Sequence, residues 1–332
     1  MSRTLEEEQL TRLDLNLAPF LNESAVNRAL GSSRAEDFAM YPEVDLPRLR
    51  TALSNRLGVP PEALIIGCGS DELIDLAMRT LVPTGGSIGV LAPSFGIYDH
   101  AARACGLRVG RVPVQADLPV DALASLRADA YFLPSPNNPT GAAFPRSVFE
   151  DLLDRTAAPV IIDEAYAEFA RQDLRPLARQ RDNVLVLRTF SKAYGLPGIR
   201  IGYGLGRPPL VDRLRSVKMP YNVSSFSERV ALAALEDSVF VEKVVSAVEA
   251  ERSRVFRKLQ TSGWPVWPSV ANFHFVGPIS NGAHVRDALR ACGIAVKLVD
   301  WPGGREGSSL RIGIGTLAQD DRLLEALEKV AP

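Results

Sequence analysis

Residues 183–204 read NVLVLRTFSKAYGLPGIRIGYG, and the reading of the fold turns on that stretch. Val184, Leu185, Val186 and Leu187 open an apolar, β-branched-rich run that predicts a buried strand ending near Phe190. Ser191 and Lys192 follow directly, then a glycine- and proline-rich segment holding Arg200. A lysine at the carboxyl end of a parallel-sheet strand sits where open α/β sheets place their ligands. An amine there can form a Schiff base with an aldehyde cofactor. Thr189 and Ser191 add hydroxyls and Arg200 a guanidinium fork, groups suited to one phosphate. Taken alone the pattern is weak, because most lysines beside a serine are simply solvated.

Upstream, ALIIGCGSDELIDLAMRTLV (residues 63–82) reads as strand, glycine turn and helix, with Ser70 as N-cap and Asp71 and Glu72 in the first turn. A glycine turn feeding a helix offers bare amides to an anion, although a tight connection alone would look the same. SIGVLAP, LRVGRVPV, DAYFLPS and PVIIDEAY are four more strand-like runs, with helical stretches at 98–105 and 149–155 between them. Strands alternating with helices predict a mostly parallel, doubly wound α/β sheet with right-handed crossovers. Before it, residues 46–57 form a helix on the spacing of Leu46, Leu49, Leu53 and Leu57.

After KMPYN (218–222) the pattern changes. A charge-laced helical region covers about 226–259, a strand 264–276 and a helix 284–292. GIAVKLV and SLRIGIG read as strands, and 320–330 as a closing amphipathic helix. The expected division is an N-terminal arm (1–28), a large domain (29–220) and a small C-terminal α/β domain (221–332). Residues 1–12 read as a mobile arm or short helix.

The totals bound the function. The chain has 332 residues, 46% hydrophobic and 23% charged, with net charge −1, which argues against a nucleic-acid partner or a polybasic membrane contact. Cys68, Cys105 and Cys292 are odd in number and scattered, so no disulfide framework is expected. His100, His274 and His284 form no zinc pattern with them. The acidic start is no signal peptide, and no run reaches transmembrane length, so a cytoplasmic protein is expected.

Seven motifs stand in order: GCGSDE (67–72), Pro93-Ser94-Phe95, NNPTG (137–141), DEAY (163–166), TFSK (189–192), Arg200 and LRIGIGT (310–316). Together they resemble the pyridoxal-phosphate-dependent aminotransferases of fold type I, and most of all the histidinol-phosphate branch, from about Leu13 to the C-terminus. The resemblance implies a pyridoxal 5'-phosphate enzyme passing an amino group from a small-molecule donor to a 2-oxo acid. It makes Lys192 the Schiff-base lysine and general base, Asp163 the partner of the ring nitrogen, and Tyr166 and Asn138 donors to the cofactor phenolate. Phe95 would stack on the ring. Gly69, Ser70, Asp71, Thr189, Ser191 and Arg200 would form the phosphate cup. Tyr41, in a Tyr-Pro pair, would reach the phosphate of the neighbouring subunit of a homodimer. Arg311 would grip the substrate's acid group.

Three positions depart from that pattern. Asn16-Leu17-Ala18-Pro19-Phe20 stands for Asn-Glu-Asn-Pro-Tyr, Lys297 for an arginine that helps hold a substrate phosphate, and His274 for an aliphatic residue. An ammonium is not an equivalent clamp to a guanidinium fork. An aminotransferase of a plain, for example aromatic, amino acid is therefore a rival, as is a related decarboxylase. A regulatory pyridoxal-phosphate module is disfavoured for want of a basic DNA-binding segment.

Overall fold

The computed structural model describes residues 10–115, 117–300 and 307–330; of residues 1–12, expected as a mobile arm or short helix, 1–9 lie outside the described residues, and Thr11–Arg12 form a paired strand instead. Along the chain the strands are β1 (Thr11–Arg12), β2 (Leu64–Cys68), β3 (Ser87–Ala92), β4 (Arg108–Pro113), β5 (Ala130–Pro134), β6 (Val160–Asp163) and β7 (Val184–Thr189). There follow β8 (Ile201–Leu205), β9 (Val266–Trp267), β10 (Phe273–Ile279), β11 (Ile294–Ala295), β12 (Lys297–Asp300) and β13 (Ser308–Gly313).

β7 is buried at every position, because side chains on both of its faces enter apolar layers. Val184 and Val186 join one core, and Leu185 and Leu187 the other. It lies centrally in a seven-stranded sheet of order β2-β8-β7-β6-β5-β3-β4. Every pairing is parallel except those of β8, which runs against both neighbours. The carboxyl ends of β2, β3, β5, β6 and β7 therefore meet the amino end of β8 along one sheet edge. The expected α/β class with a mostly parallel sheet is the one observed.

A second, antiparallel sheet of order β12-β13-β10-β9 lies towards the C-terminus. Helices Ser238–Thr261, Gly282–Ala291 and Leu317–Leu327 contribute Val255, Leu289 and Leu323 to the core on one of its faces. The N-terminal segment is stitched to this unit: β1 pairs with β11, and the Gly313 amide donates to the Leu13 carbonyl at 2.7 Å. From there residues 14–20 run towards the edge of the large sheet.

Four local readings are corrected. Residues 201–205 form strand β8 although the two glycines of IGYGL weaken its strand signal. Ser70 is not the N-cap; the Gly69–Leu81 helix starts two residues earlier than that reading requires, with Cys68 in the cap position. The helical region 226–259 is two helices, Ser225–Glu236 and Ser238–Thr261. Asp237 leaves helical geometry between them, and its carboxylate caps the second at the Phe240 amide, 3.0 Å away. The run 264–276 holds two antiparallel strands, β9 and the start of β10, parted where Pro268 has no amide to give. The Ser225–Glu236 helix sends Val230, Ala231, Ala234 and Leu235 into the same core as β7.

Candidate active site

A small pocket opens at that sheet edge. Its floor is the end of β6, where two adjacent buried carboxylates are treated differently. Glu164 is ion-paired with Arg188 of β7 at 2.8 Å, on the side away from the cavity lining. Asp163 lines the cavity and has only neutral hydrogen-bond partners: the Tyr98 hydroxyl donates to Oδ2 at 2.9 Å and the Ala165 amide to Oδ1 at 3.1 Å. Burial pushes the Asp163 pKa up to about 6, against the opposing pull of those two donors and of Lys192. A buried carboxylate without a bonded cation is a seat for a positive group.

One wall comes from β2 and β8. Gly69 has φ +77°, a Cβ there would strike the Arg200 guanidinium, and a Cβ on Gly202 would strike the Ser70 amide nitrogen. Glycine at both positions lets the helix start, β8 and Arg200 converge. Ser70 and Asp71 of this turn line the cavity beside Thr189, Ser191 and Arg200. Thr189 Oγ1 lies 3.0 Å from Ser191 Oγ, Arg200 Nη1 lies 3.4 Å from the same hydroxyl, and Arg200 Nη2 bonds Asp71 at 3.0 Å. Phe95 forms another wall, edge-on to Tyr98 with ring centres 5.8 Å apart.

Asn138 and Tyr166 line the side facing the N-terminal segment and the small sheet. The Tyr166 hydroxyl accepts from Asn16 at 3.1 Å, and Asn138 Oδ1 accepts from Arg311 Nη1 at 2.8 Å. Arg311 also donates through Nη2 to the Asp14 carbonyl, lies over the Phe273 ring at 5.7 Å, and keeps a buried Nε with no partner. Burial lowers its pKa.

Lys192 borders the cavity through Tyr166 rather than lining it. Its Nζ is 5.4 Å from that ring centre and 3.4 Å from the carbonyls of Leu15 and Asn16. Lys297 is the cross-strand partner of Arg311, which puts both on one face of the small sheet; Lys297 is exposed. Phe20 packs partly buried in the cluster of Tyr166 and Phe273, with Lys243 Nζ 4.8 Å from its ring centre. Tyr41 is not part of this cavity: it is 80% exposed and stacked on Tyr221. His274 lies on the other face of β10 beside Phe256, and burial lowers its pKa to about 3.

Two residues that the sequence reading left out shape the site. Tyr98 holds Asp163; its position three residues after Phe95 was the available signal. Asn272 fixes the N-terminal segment by donating to the Asn16 and Leu17 carbonyls at 3.1 Å each, and nothing local marks it. Among the described residues no cluster of His, Cys, Asp or Glu could hold a metal ion.

The profile of the family described as Aminotransferase class I and II matches residues 9–327. A histidinol-phosphate aminotransferase of Roseiflexus castenholzii is 39% identical, with 98% of this chain and 91% of that protein covered. One from Thermococcus gammatolerans is 34% identical, covering 99% and 94%. The crystal structure of the histidinol-phosphate aminotransferase of Sinorhizobium meliloti in complex with pyridoxal-5'-phosphate superposes with a TM-score of 0.90 at 26% identity, over 98% of this chain and 93% of that one. With a matching profile over almost its whole length, the chain belongs to the class I and II aminotransferases, pyridoxal-phosphate enzymes of fold type I.

Proposed function

We propose that this aminotransferase takes histidinol phosphate as amino donor and a 2-oxo acid as acceptor, as a cytoplasmic homodimer serving histidine biosynthesis. The observation that carries the choice of donor is the pairing of Lys297 with Arg311 on neighbouring strands. Two cations on one sheet face suit a phosphate dianion better than a carboxylate, for which one fork suffices. The names of the relatives point the same way. Three free thiols are in keeping with a reducing compartment.

The residues present fit pyridoxal phosphate. Asp163 is a buried carboxylate short of a cation, which a protonated ring nitrogen would supply. The amide-bearing turn at Gly69–Ser70 with Thr189, Ser191 and Arg200 offers donors to a phosphate, and Phe95 a flat face to a ring. When bound, the cofactor supplies an electron sink for the charge left at the substrate Cα.

In this reading Asp163 keeps the ring nitrogen protonated, Tyr98 fixes Asp163, and Tyr166 and Asn138 hold the ring's phenolate oxygen. Lys192 anchors the cofactor. Once free, its Nζ would be the base that holds and moves the proton of the substrate Cα. Asn16 steadies Tyr166, and Arg311 and Lys297 hold the substrate's acid group while Phe20 covers it. Tyr41 extends to the neighbouring subunit's phosphate cup. The large sheet carries the cofactor and the small sheet the substrate clamp.

A panel of donors (histidinol phosphate and aromatic, basic and acidic amino acids), scored by keto-product formation with and without 2-oxo acid, tests the reading. Preference for histidinol phosphate supports it. Preference for an aromatic amino acid overturns the donor assignment, and carbon dioxide release would point to decarboxylation. Sedimentation measures the dimer.

A further inference from the structure

Tyr41 stands exposed a few residues ahead of a turn that is costly in itself. The turn that follows it places Asp45 and Leu46 at φ +62° and +48°, two successive non-glycine residues in the left-handed region. Such geometry persists only where the surroundings enforce it. Here Leu46 is buried ahead of the Pro47–Leu57 helix, and the Asp45 carboxylate is gripped by Lys218 Nζ at 3.1 Å and Arg215 Nε at 3.5 Å. The Lys218 side chain is only 3% exposed, unusual for a lysine and explicable by its partners.

The chain of contacts continues. Lys218 Nζ also donates to Asn222 Oδ1 at 3.0 Å, and Asn222 Nδ2 donates to Glu72 Oε2 at 2.6 Å. That oxygen also accepts the Cys68 amide, directly before the Gly69 turn, at 2.5 Å. Between Lys218 and Asn222 lies Tyr221, whose ring stacks on Tyr41 with centres 4.8 Å apart and planes 26° from parallel. The tyrosine ring thus rests on Tyr221, and the turn four residues further on is held through Asp45. Both fixings depend on the segment 218–222, which Lys218 ties to Asp45 and Asn222 ties to Glu72.

We propose that Lys218 is a positioning residue for Tyr41, clamping the strained turn and the Tyr221 platform so that the tyrosine hydroxyl is delivered in one geometry to the phosphate cup of a second copy of this chain. The inference rests on the reading that Tyr41 serves the neighbouring subunit. It assigns a function to a half-buried ion pair that lies outside the cavity.

The test separates phosphate recognition from general damage. Apoenzyme is titrated with pyridoxal 5'-phosphate and, separately, with pyridoxal, which lacks the phosphate. Losing one hydrogen bond to a charged group weakens binding by about tenfold or somewhat more. Lys218→Met is therefore expected to lose about tenfold for the phosphate form and under about twofold for pyridoxal, with Lys218→Arg restoring the difference. Asp45→Asn serves in the same way if Lys218→Met does not fold.

Equal loss for both ligands, or none, overturns the proposal. Tyr41→Phe distinguishes the two levels. If it leaves the phosphate form unaffected, the reading of Tyr41 fails and the inference with it; if it weakens that form while Lys218→Met and Asp45→Asn do not, only the inference fails. A doubly tagged hybrid dimer of Lys218→Met and Lys192→Ala subunits completes the test. Its only lysine-bearing site receives Tyr41 from a subunit with intact Lys218, so affinity read from the visible absorbance of the lysine-bound cofactor should return to the wild-type value. Persistence of the loss there also overturns the proposal.

Discussion

Asp163, buried, and Arg311, half-buried, are charges beside the same cavity, and they are held in different ways. Asp163 takes both of its hydrogen bonds from the large unit: one from the Ala165 amide two residues on, one from Tyr98 in the helix after β3. Arg311 is held across three segments, by Asn138 of the loop after β5, by the Asp14 carbonyl near the N-terminus and over Phe273 of the small sheet, and its Nε is left over. One side of the cavity is finished before anything binds, as electrostatic preorganisation requires. The other is assembled where separate parts meet, and an acid group would complete it. The sharpest way to test this contrast is to remove groups on either side and compare what is lost.

The largest loss is expected between the two sides, at Lys192, which stands over Tyr166 and touches the N-terminal segment. On the proposed roles Lys192→Ala would remove both anchor and base, so kcat should fall on the order of 10⁴-fold or more. Borohydride reduction of the wild type followed by peptide mapping should find the cofactor on Lys192; attachment to another lysine would remove it from this role.

On the finished side, Asp163→Asn should keep the cavity's shape while lowering kcat by about 10²–10³-fold, the scale of one preorganised charge partner. A change of under about twofold would mean that Asp163 does not carry the ring charge. The same residue predicts a pH effect on the apoenzyme. Its pKa is raised to about 6, so the carboxylate is available above that value and protonated below it. Affinity for a protonated ring should thus be level above pH about 6 and decline as pH falls through it, a decline that Asp163→Asn should abolish.

The same contrast governs what the sequence disclosed. The residues lining the finished side sit within short motifs at strand ends, where an apolar run stopping at a polar residue marks both strand and edge. Asp163 at the end of VIID and Thr189 at the end of VLVLRT are of this kind. β8 carries little strand signal because its glycines serve close approach, Gly202 against Ser70, and glycine weakens every strand signal. The assembled side depends on contacts between residues 150 to 297 positions apart, such as Asn16 with Tyr166 and Arg311 with Asp14. No periodicity announces such contacts. Arg311 stands in a motif that carries the family resemblance, whereas Asn272 and Lys243, which touch the same N-terminal segment, stand in none.

Arg311→Ala should cost less than Asp163→Asn in kcat and more in KM, because it removes binding made to substrate and transition state alike. Losing one charged hydrogen-bond partner amounts to about 2–3 kcal/mol, or some tens to over a hundred-fold in kcat/KM. Part of the cost comes from the Asn138 and Asp14 oxygens left without a donor. Arg311→Lys should recover little, since one ammonium cannot bridge Asn138, Asp14 and a substrate oxygen at once. If Arg311→Ala changed kcat alone, the guanidinium would be acting on the chemistry rather than on binding.

The smallest effect, and the one that discriminates donors, belongs to Lys297. It stands opposite Arg311 in register but is exposed, so water screens its charge far more than that of its half-buried neighbour. An exposed pair of this kind contributes up to about 1 kcal/mol, so Lys297→Ala should lower kcat/KM for histidinol phosphate about fivefold at low salt. For a plain amino acid the change should stay under about twofold, because the Arg311 fork already meets both carboxylate oxygens. Raising the ionic strength should shrink the first difference and leave the second alone. Lys297→Arg should move the preference towards the phosphate ester, since a planar fork replaces a point charge. If neither substitution alters the ratio between the two donors, the Lys297 side chain does not reach the substrate. The phosphate would then rest on Arg311 alone, and the small sheet would have no second cation with which to tell it from a carboxylate.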